Sequence, residues 1–303
     1  AVSFPSPLES RAMIIKTFAN APKFSKLQDF AVIVQTGDKA AIEQALSELT
    51  ASPSFQGKGW QAAFAKLASV LSTGEAAFSI FALGGNSKLP FVSFSTLPGV
   101  TCPGAGDCVK FCYSFRAWRY PSAFARMVQN TWMLRFNSKA IAAALTAIAA
   151  TRGADGFDFR LYVDGDFSSA SDVGFWMGLL STIPACRAYG YSKSFAMLLA
   201  HNLIGQWPSN YQLNISSGHN ASPAMVAYVK ALPITRGEFI AVSIGRKVKG
   251  SEHGTPAVNA ALRAAMGGVK VFPCPGACGA CTGKGHACGM PSLKGRIIAI
   301  AMH

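Results

Sequence analysis

The sequence predicts an α/β protein, a partial or full parallel (β/α) barrel preceded by a helical N-terminal subdomain. Three observations lead there. Short β-rich runs recur after about residue 76, and the last six begin 24 to 30 residues apart with helical stretches between them. That interval is one βαβ unit, whose strands must run parallel. Half of the 303 residues are apolar and 14% are charged, where ~25% charged is usual. Such a composition suits strands buried on both faces. Residues 1–75 differ: they hold no cysteine or histidine and place apolar residues at helical spacing.

Taken in order, residues 39–49 (KAAIEQALSEL) and 59–71 (GWQAAFAKLASVL) read as helices rich in Ala, Leu, Lys and Glu. The linker between them, TASPSFQGKG, carries the breakers Pro53, Gly57 and Gly59. This gives a helical subdomain over residues 1–75 and a barrel-like domain over 76–303. Strands are expected at 78–83, 91–96, 159–163, 187–191, 211–216, 239–244, 269–272 and 297–301. Helices are expected at 169–183, 195–206, 223–232 and 256–266. The long insertion before residue 159 holds a cysteine-rich loop and two further helices, 118–136 and 138–151, the second with Ser138 as its N-cap.

Lys and Arg number 28 against 14 Asp and Glu, a net charge of +14. A basic surface displaces counterions from phosphates, so nucleic acid is the expected partner. No apolar stretch reaches the ~18 residues that span a bilayer. A membrane partner is therefore not expected. Nor does the N-terminal stretch carry a basic flank and apolar core of secretory type, and a cytoplasmic location is expected.

The chemistry gathers in two thiol-rich loops. TCPGAGDCVKFCYSF places Cys102, Cys108 and Cys112 directly after the run at 91–96. Cys274, Cys278, Cys281 and Cys288, with His286 among them, follow the run at 269–272. Thiols at this density in a reducing compartment point to metal rather than disulfides. Four cysteines complete a site for tetrahedral zinc or an iron–sulfur cluster, and the intervening glycines free backbone N–H groups to bond sulfur. Three cysteines leave one position for water, a small molecule, or a remote ligand such as His219, His286 or Cys186. Cys186 begins a strand on the opposite rim and reads as a buried structural thiol.

In parallel α/β folds chemistry collects where strands end. Asp164-Gly165-Asp166 follows the run at 159–163, as a cation site, a general base or a cap for the next helix. Ser192-Lys193-Ser194 follows 187–191, where a helix start would favour an anion. Asn214 and His219 mark the end of 211–216, and Arg246-Lys247 the end of 239–244. All of these motifs, with both cysteine sets, are expected on one rim.

The segments SFSTLPGVTCPGAGDCVKFCYSFRAWRY, FRLYVDGDFSS and AYGYSKS, with the late four-cysteine loop, resemble the mycobacteriophage gene product 88 family, whose relatives occur on phages and plasmids. The resemblance covers roughly residues 88–303 and implies no established activity. More distantly, the chain is similar to radical S-adenosylmethionine enzymes, in which a three-cysteine loop after the first barrel strand holds a 4Fe–4S cluster. That similarity implies cluster ligation by Cys102, Cys108 and Cys112. It implies cofactor contacts from Gly165, Asp166 and Ser192, and an auxiliary cluster on the four later cysteines. The spacing here is C-x5-C-x3-C, whereas C-x3-C-x2-C is usual in those enzymes.

Three functions follow as expectations. The first is an iron–sulfur protein with one or two 4Fe–4S clusters and a radical-type barrel acting on nucleic acid or its precursors. In it Asp166, Lys193 and Asn214 carry the chemistry, and S-adenosylmethionine is the small-molecule cofactor. The second is a non-enzymatic, metal-stabilised nucleic-acid-binding protein of a mobile element. The third is a zinc-dependent hydrolase.

Overall fold

The computed structural model of the chain describes residues 22–84, 89–279, 281–282 and 285–302. Residues 1–21 of the expected helical subdomain lie outside these. The remainder of that subdomain is three helices, α1 (Pro22–Thr36), α2 (Lys39–Ala51) and α3 (Lys58–Thr73). Asp38 caps α2 by accepting the Ala41 N–H at 3.1 Å. The helices dock on α4 (Pro121–Phe136), where the Phe124 ring stands 6.3 Å from Phe30 and 6.0 Å from Trp60. Leu27, Trp60 and Phe124 belong to the same apolar core as Phe159 and Trp176 farther along the chain.

The main body is a seven-stranded, wholly parallel sheet: β1 (Val92–Ser93), β2 (Phe157–Leu161), β3 (Cys186–Ser192), β4 (Tyr211–Ser216), β5 (Thr235–Val242), β6 (Val271–Pro273) and β7 (Ile297–Ala301). The parallel arrangement is as the sequence rhythm requires. The spatial order is β1-β2-β3-β4-β5-β7-β6, so β7 lies between β5 and β6. β1 and β6 end the sheet, and among the described strand pairs none joins them.

Side chains alternate cleanly between two faces. Phe159 and Leu161 of β2 point to the helical face, where Phe159 meets Trp176 of α6 (Ala170–Ser181) at 5.8 Å. Ala299 and Ala301 of β7 do the same against Val258 and Leu262 of α9 (Pro256–Ala265). The other face presents Arg160, Tyr189, Tyr191, Phe239, Phe272 and Ile298. The four-cysteine segment covers that face.

Several expected elements fall differently. Residues 78–83 form no strand, only one antiparallel bridge, Ala82 to Ser93. Side chains of α4 occupy their backbone instead. Gln129 accepts the N–H groups of Ala77 and Phe78 and donates to the Phe78 carbonyl, and Asn130 donates to that of Ile80. The helix expected at 118–136 is divided. A 3-10 turn, Tyr113–Arg119, precedes α4, which begins at Pro121 because proline fits a first helical position and has no N–H to donate further in. Asn137, not Ser138, stands at the N-cap of α5 (Ser138–Arg152). β5 starts at Thr235 rather than residue 239, its opening half masked by the charged Arg236 and Glu238.

Candidate metal centres

The first thiol loop leaves β1 and lies across the carboxyl ends of β3 and β4. Backbone contacts pin it there. Gly106 and Cys108 donate N–H groups to the Gly218 carbonyl at 3.0 and 3.3 Å, and Asn220 donates to the Gly104 carbonyl at 3.1 Å. Gly104 is pressed against the Lys193 peptide so closely that any Cβ would overlap the Lys193 carbonyl oxygen. The glycines are thus explained by the approach of loop to rim. Cys102, Cys108 and Cys112 lie within electrostatic reach of one another. Gly99, Gly106 and Ser114 supply backbone hydrogen bonds to their three sulfurs.

Burial raises all three thiols, Cys108 to about 11, so without a cation they keep their protons at neutral pH. Lys193 opposes that rise at Cys108 and Cys112. It donates its ammonium to Ser216 Oγ at 2.6 Å and lies within electrostatic reach of two of the three thiols. The candidate Lys193 is therefore brought to the thiols.

Asp166 is only 4% exposed and serves as a brace. Its Oδ1 accepts the Phe167 N–H at 2.8 Å and its Oδ2 the Lys193 N–H at 2.7 Å, and Ser192 adds a side-chain bond. The carboxylate ties the end of β2 to the end of β3, close enough to act electrostatically on Cys102 and Cys108. Neither Asp164 nor Asp166 caps the next helix; Ser169 does, accepting the Asp172 N–H at 3.1 Å. Asp164 accepts from Ser95 Oγ at 3.0 Å. Between them Gly165 has φ 82 and lies against the hydroxyls of Thr96 and Thr101, where a Cβ would collide. Tyr162, just before this turn, is buried with φ 54, an uncommon conformation for a large residue, and accepts the Trp176 indole N–H at 3.1 Å.

The second thiol set departs from the rim on which the sequence placed it. From β6 the chain turns back over the open face of the sheet, because the aromatic side chains there need a cover and no helix supplies one. Asn214 anchors this return. It is fully buried, donates to the carbonyls of Gly190 and Cys288 at 3.0 and 2.9 Å, and accepts from Arg236 Nε at 2.6 Å. Asn214, expected at a substrate site, stands here as a clamp between two strands and the returning loop.

All four sulfurs meet hydrogen-bond donors. Gly276 N–H reaches Cys274 Sγ at 3.4 Å, Ala287 N–H reaches Cys281 Sγ at 3.2 Å, and Tyr191 hydrogen-bonds Cys288. Arg160 Nη1 stands 4.0 Å from Cys278 Sγ. Burial pushes Cys274 up to about 11 and Cys288 to about 12. His286 packs on Tyr189 at 4.3 Å and faces Asp158 at 3.7 Å, leaving its buried Nδ1 without a hydrogen bond.

Arg160 joins the two sets. Its guanidinium lies 4.9 Å over the Tyr191 ring, beside Cys278, and hydrogen-bonds Tyr113, the residue after Cys112. No ion pair with a carboxylate is present at Arg160 among the described residues, and its Nε has no acceptor. The sequence reading passed over Arg160, Tyr189 and Tyr191. Their signal was the two-residue alternation in β2 and β3, which puts polar and aromatic groups on one face. Cys186, at the start of β3, is fully buried on the other face, as a structural thiol would be.

Among the described residues, no three His, Cys, Asp or Glu side chains stand close enough together to hold one metal ion. Nor is any described helix long and apolar enough to cross a membrane. A family model described as "Gene product 88" matches residues 62–290, a span that includes both cysteine sets. No curated protein and no solved structure matches the chain.

Proposed function

The chain belongs to the gene product 88 family, and from that premise and its thiol chemistry we propose an iron–sulfur protein with two centres that acts on nucleic acid or its precursors. One observation carries the reading: both partly buried thiol sets are furnished with hydrogen-bond donors, and the four-cysteine set meets a half-buried guanidinium, that of Arg160, with no carboxylate ion pair among the described residues. Asp164 lies within electrostatic reach of Arg160 without pairing to it among the described residues, and a metal-bound thiolate at Cys278, 4.0 Å from the guanidinium, is a further anion that the position of Arg160 suits. N–H groups directed at sulfur are likewise what a thiolate held by metal requires.

Cys274, Cys278, Cys281 and Cys288 would hold a fully ligated cluster. Cys102, Cys108 and Cys112 would hold one with an iron open to a small molecule, and such clusters supply electron transfer and a binding position. Lys193 is the side chain placed to meet an anionic group there, such as the carboxylate of S-adenosylmethionine. Asp166 keeps the two strand ends in place beneath it. The net charge of +14 supports a polyanionic partner.

Protein purified without oxygen should be brown, absorb broadly near ~400 nm and contain about eight irons per chain. The triple variant C102S/C108S/C112S should keep about half of that iron. Colourless protein whose only metal is zinc would overturn the reading and favour the hydrolase or the metal-stabilised binding protein.

A further inference from the structure

Beside β6, at the open edge of the sheet, lies a cavity of about 490 Å³. It falls within the size range of small-ligand sites. Arg263 from the last turn of α9, Lys270 just before β6 and Arg296 just before β7 line it, and no acidic residue does. None of the three cations forms an ion pair among the described residues, whereas Arg187, Lys230 and Arg246 elsewhere each pair with a carboxylate. The rest of the lining is mostly apolar, notably Phe272 and Leu293, with the amide of Asn259 among it, and it reaches Cys281 of the four-cysteine loop.

Exposed cations gathered with apolar and aromatic side chains around one cavity match the two halves of a nucleotide. The phosphate is met by guanidinium and ammonium groups, and the base lies against the ring and aliphatic carbons. β6, which lines the cavity, ends the sheet, and no described strand pairs with its outer side. The geometry points to this cavity as a binding site for a nucleotide unit, either free or within a single strand. The inference rests on the nucleic-acid half of the proposed function and is independent of which metal the thiols hold. It places the polyanion on the β6 edge, beside the second thiol set, and not on the carboxyl rim.

The test uses full-length protein purified without oxygen and two probes, a fluorescein-labelled single-stranded oligodeoxythymidylate and free adenosine diphosphate. Because the three cationic side chains are exposed, the triple variant R263Q/K270Q/R296Q should keep the circular dichroism spectrum and metal content of the parent. It should bind the oligonucleotide at least ~10-fold more weakly, and K270Q alone should lower the salt slope by about 1. Competition by adenosine diphosphate would identify a free-nucleotide site; binding of the oligonucleotide without such competition would identify a strand site. Parent and triple variant binding equally would overturn the cavity assignment and leave the nucleic-acid reading standing. A parent protein that binds neither probe would overturn both.

Discussion

Gly104 and Asn214 show how much single residues decide here. Gly104 lets the first thiol loop touch the β3 rim, and an alanine there must push away backbone, not a flexible side chain. G104A should therefore cost about 1–3 kcal/mol in urea unfolding and lower the iron content. Gly178, inside α6 with open space around it, is the natural comparison. G178A should stabilise the protein by about 0.4–1 kcal/mol with iron unchanged. Asn214 satisfies two buried carbonyls and one buried guanidinium at once. N214L removes all three bonds and should cost about 3 kcal/mol or more, read from the same unfolding curves. N214D, which keeps an acceptor for Arg236, should lose less.

At the scale of elements, the two thiol loops are separable. C186S should leave the iron content unchanged, because this thiol is buried on the helical face, away from both loops. C274S/C281S should remove the second centre while the first retains its absorption, since separate strands and loops position it. The cysteine loops, the βαβ rhythm and all seven strands were legible because they depend on spacing and apolar runs. The part that was not legible depends on contacts far along the chain. Residues 78–83 carry a strand-like run, yet Gln129 and Asn130, some fifty positions away, take its backbone groups. Asp166 looked like a ligand contact because strand ends in α/β folds often are. In the structure its two oxygens accept from the N–H groups of Phe167 and of Lys193, just past the next strand. Asn214 was read by its position near a strand end, whereas its role follows from a loop that returns across the face.

On the scale of the whole molecule, one apolar core runs from α1–α3 through α4 to the sheet. The two sequence regions that differ so clearly in composition should therefore unfold together. Calorimetry of the loaded protein should show one transition with equal calorimetric and van't Hoff enthalpies, while a chain lacking residues 1–75 should expose Phe124 and its neighbours and aggregate. The carboxyl-rim candidates were foreseeable because the parallel topology fixes where they gather. The second thiol set was misplaced because topology fixes only where a loop begins.

The strand order gives the molecule a schedule. Among the described strand pairs β6 joins the sheet only through β7, which is made some two dozen residues later. Until β7 slots in beside β5, the four-cysteine loop hangs from a strand with no place to lie, and its aromatic bed stays uncovered. A released chain ending at Arg296 should therefore have its first thiol loop already seated and its second still open to proteases. The later cysteines would be mounted only after the strand that follows them.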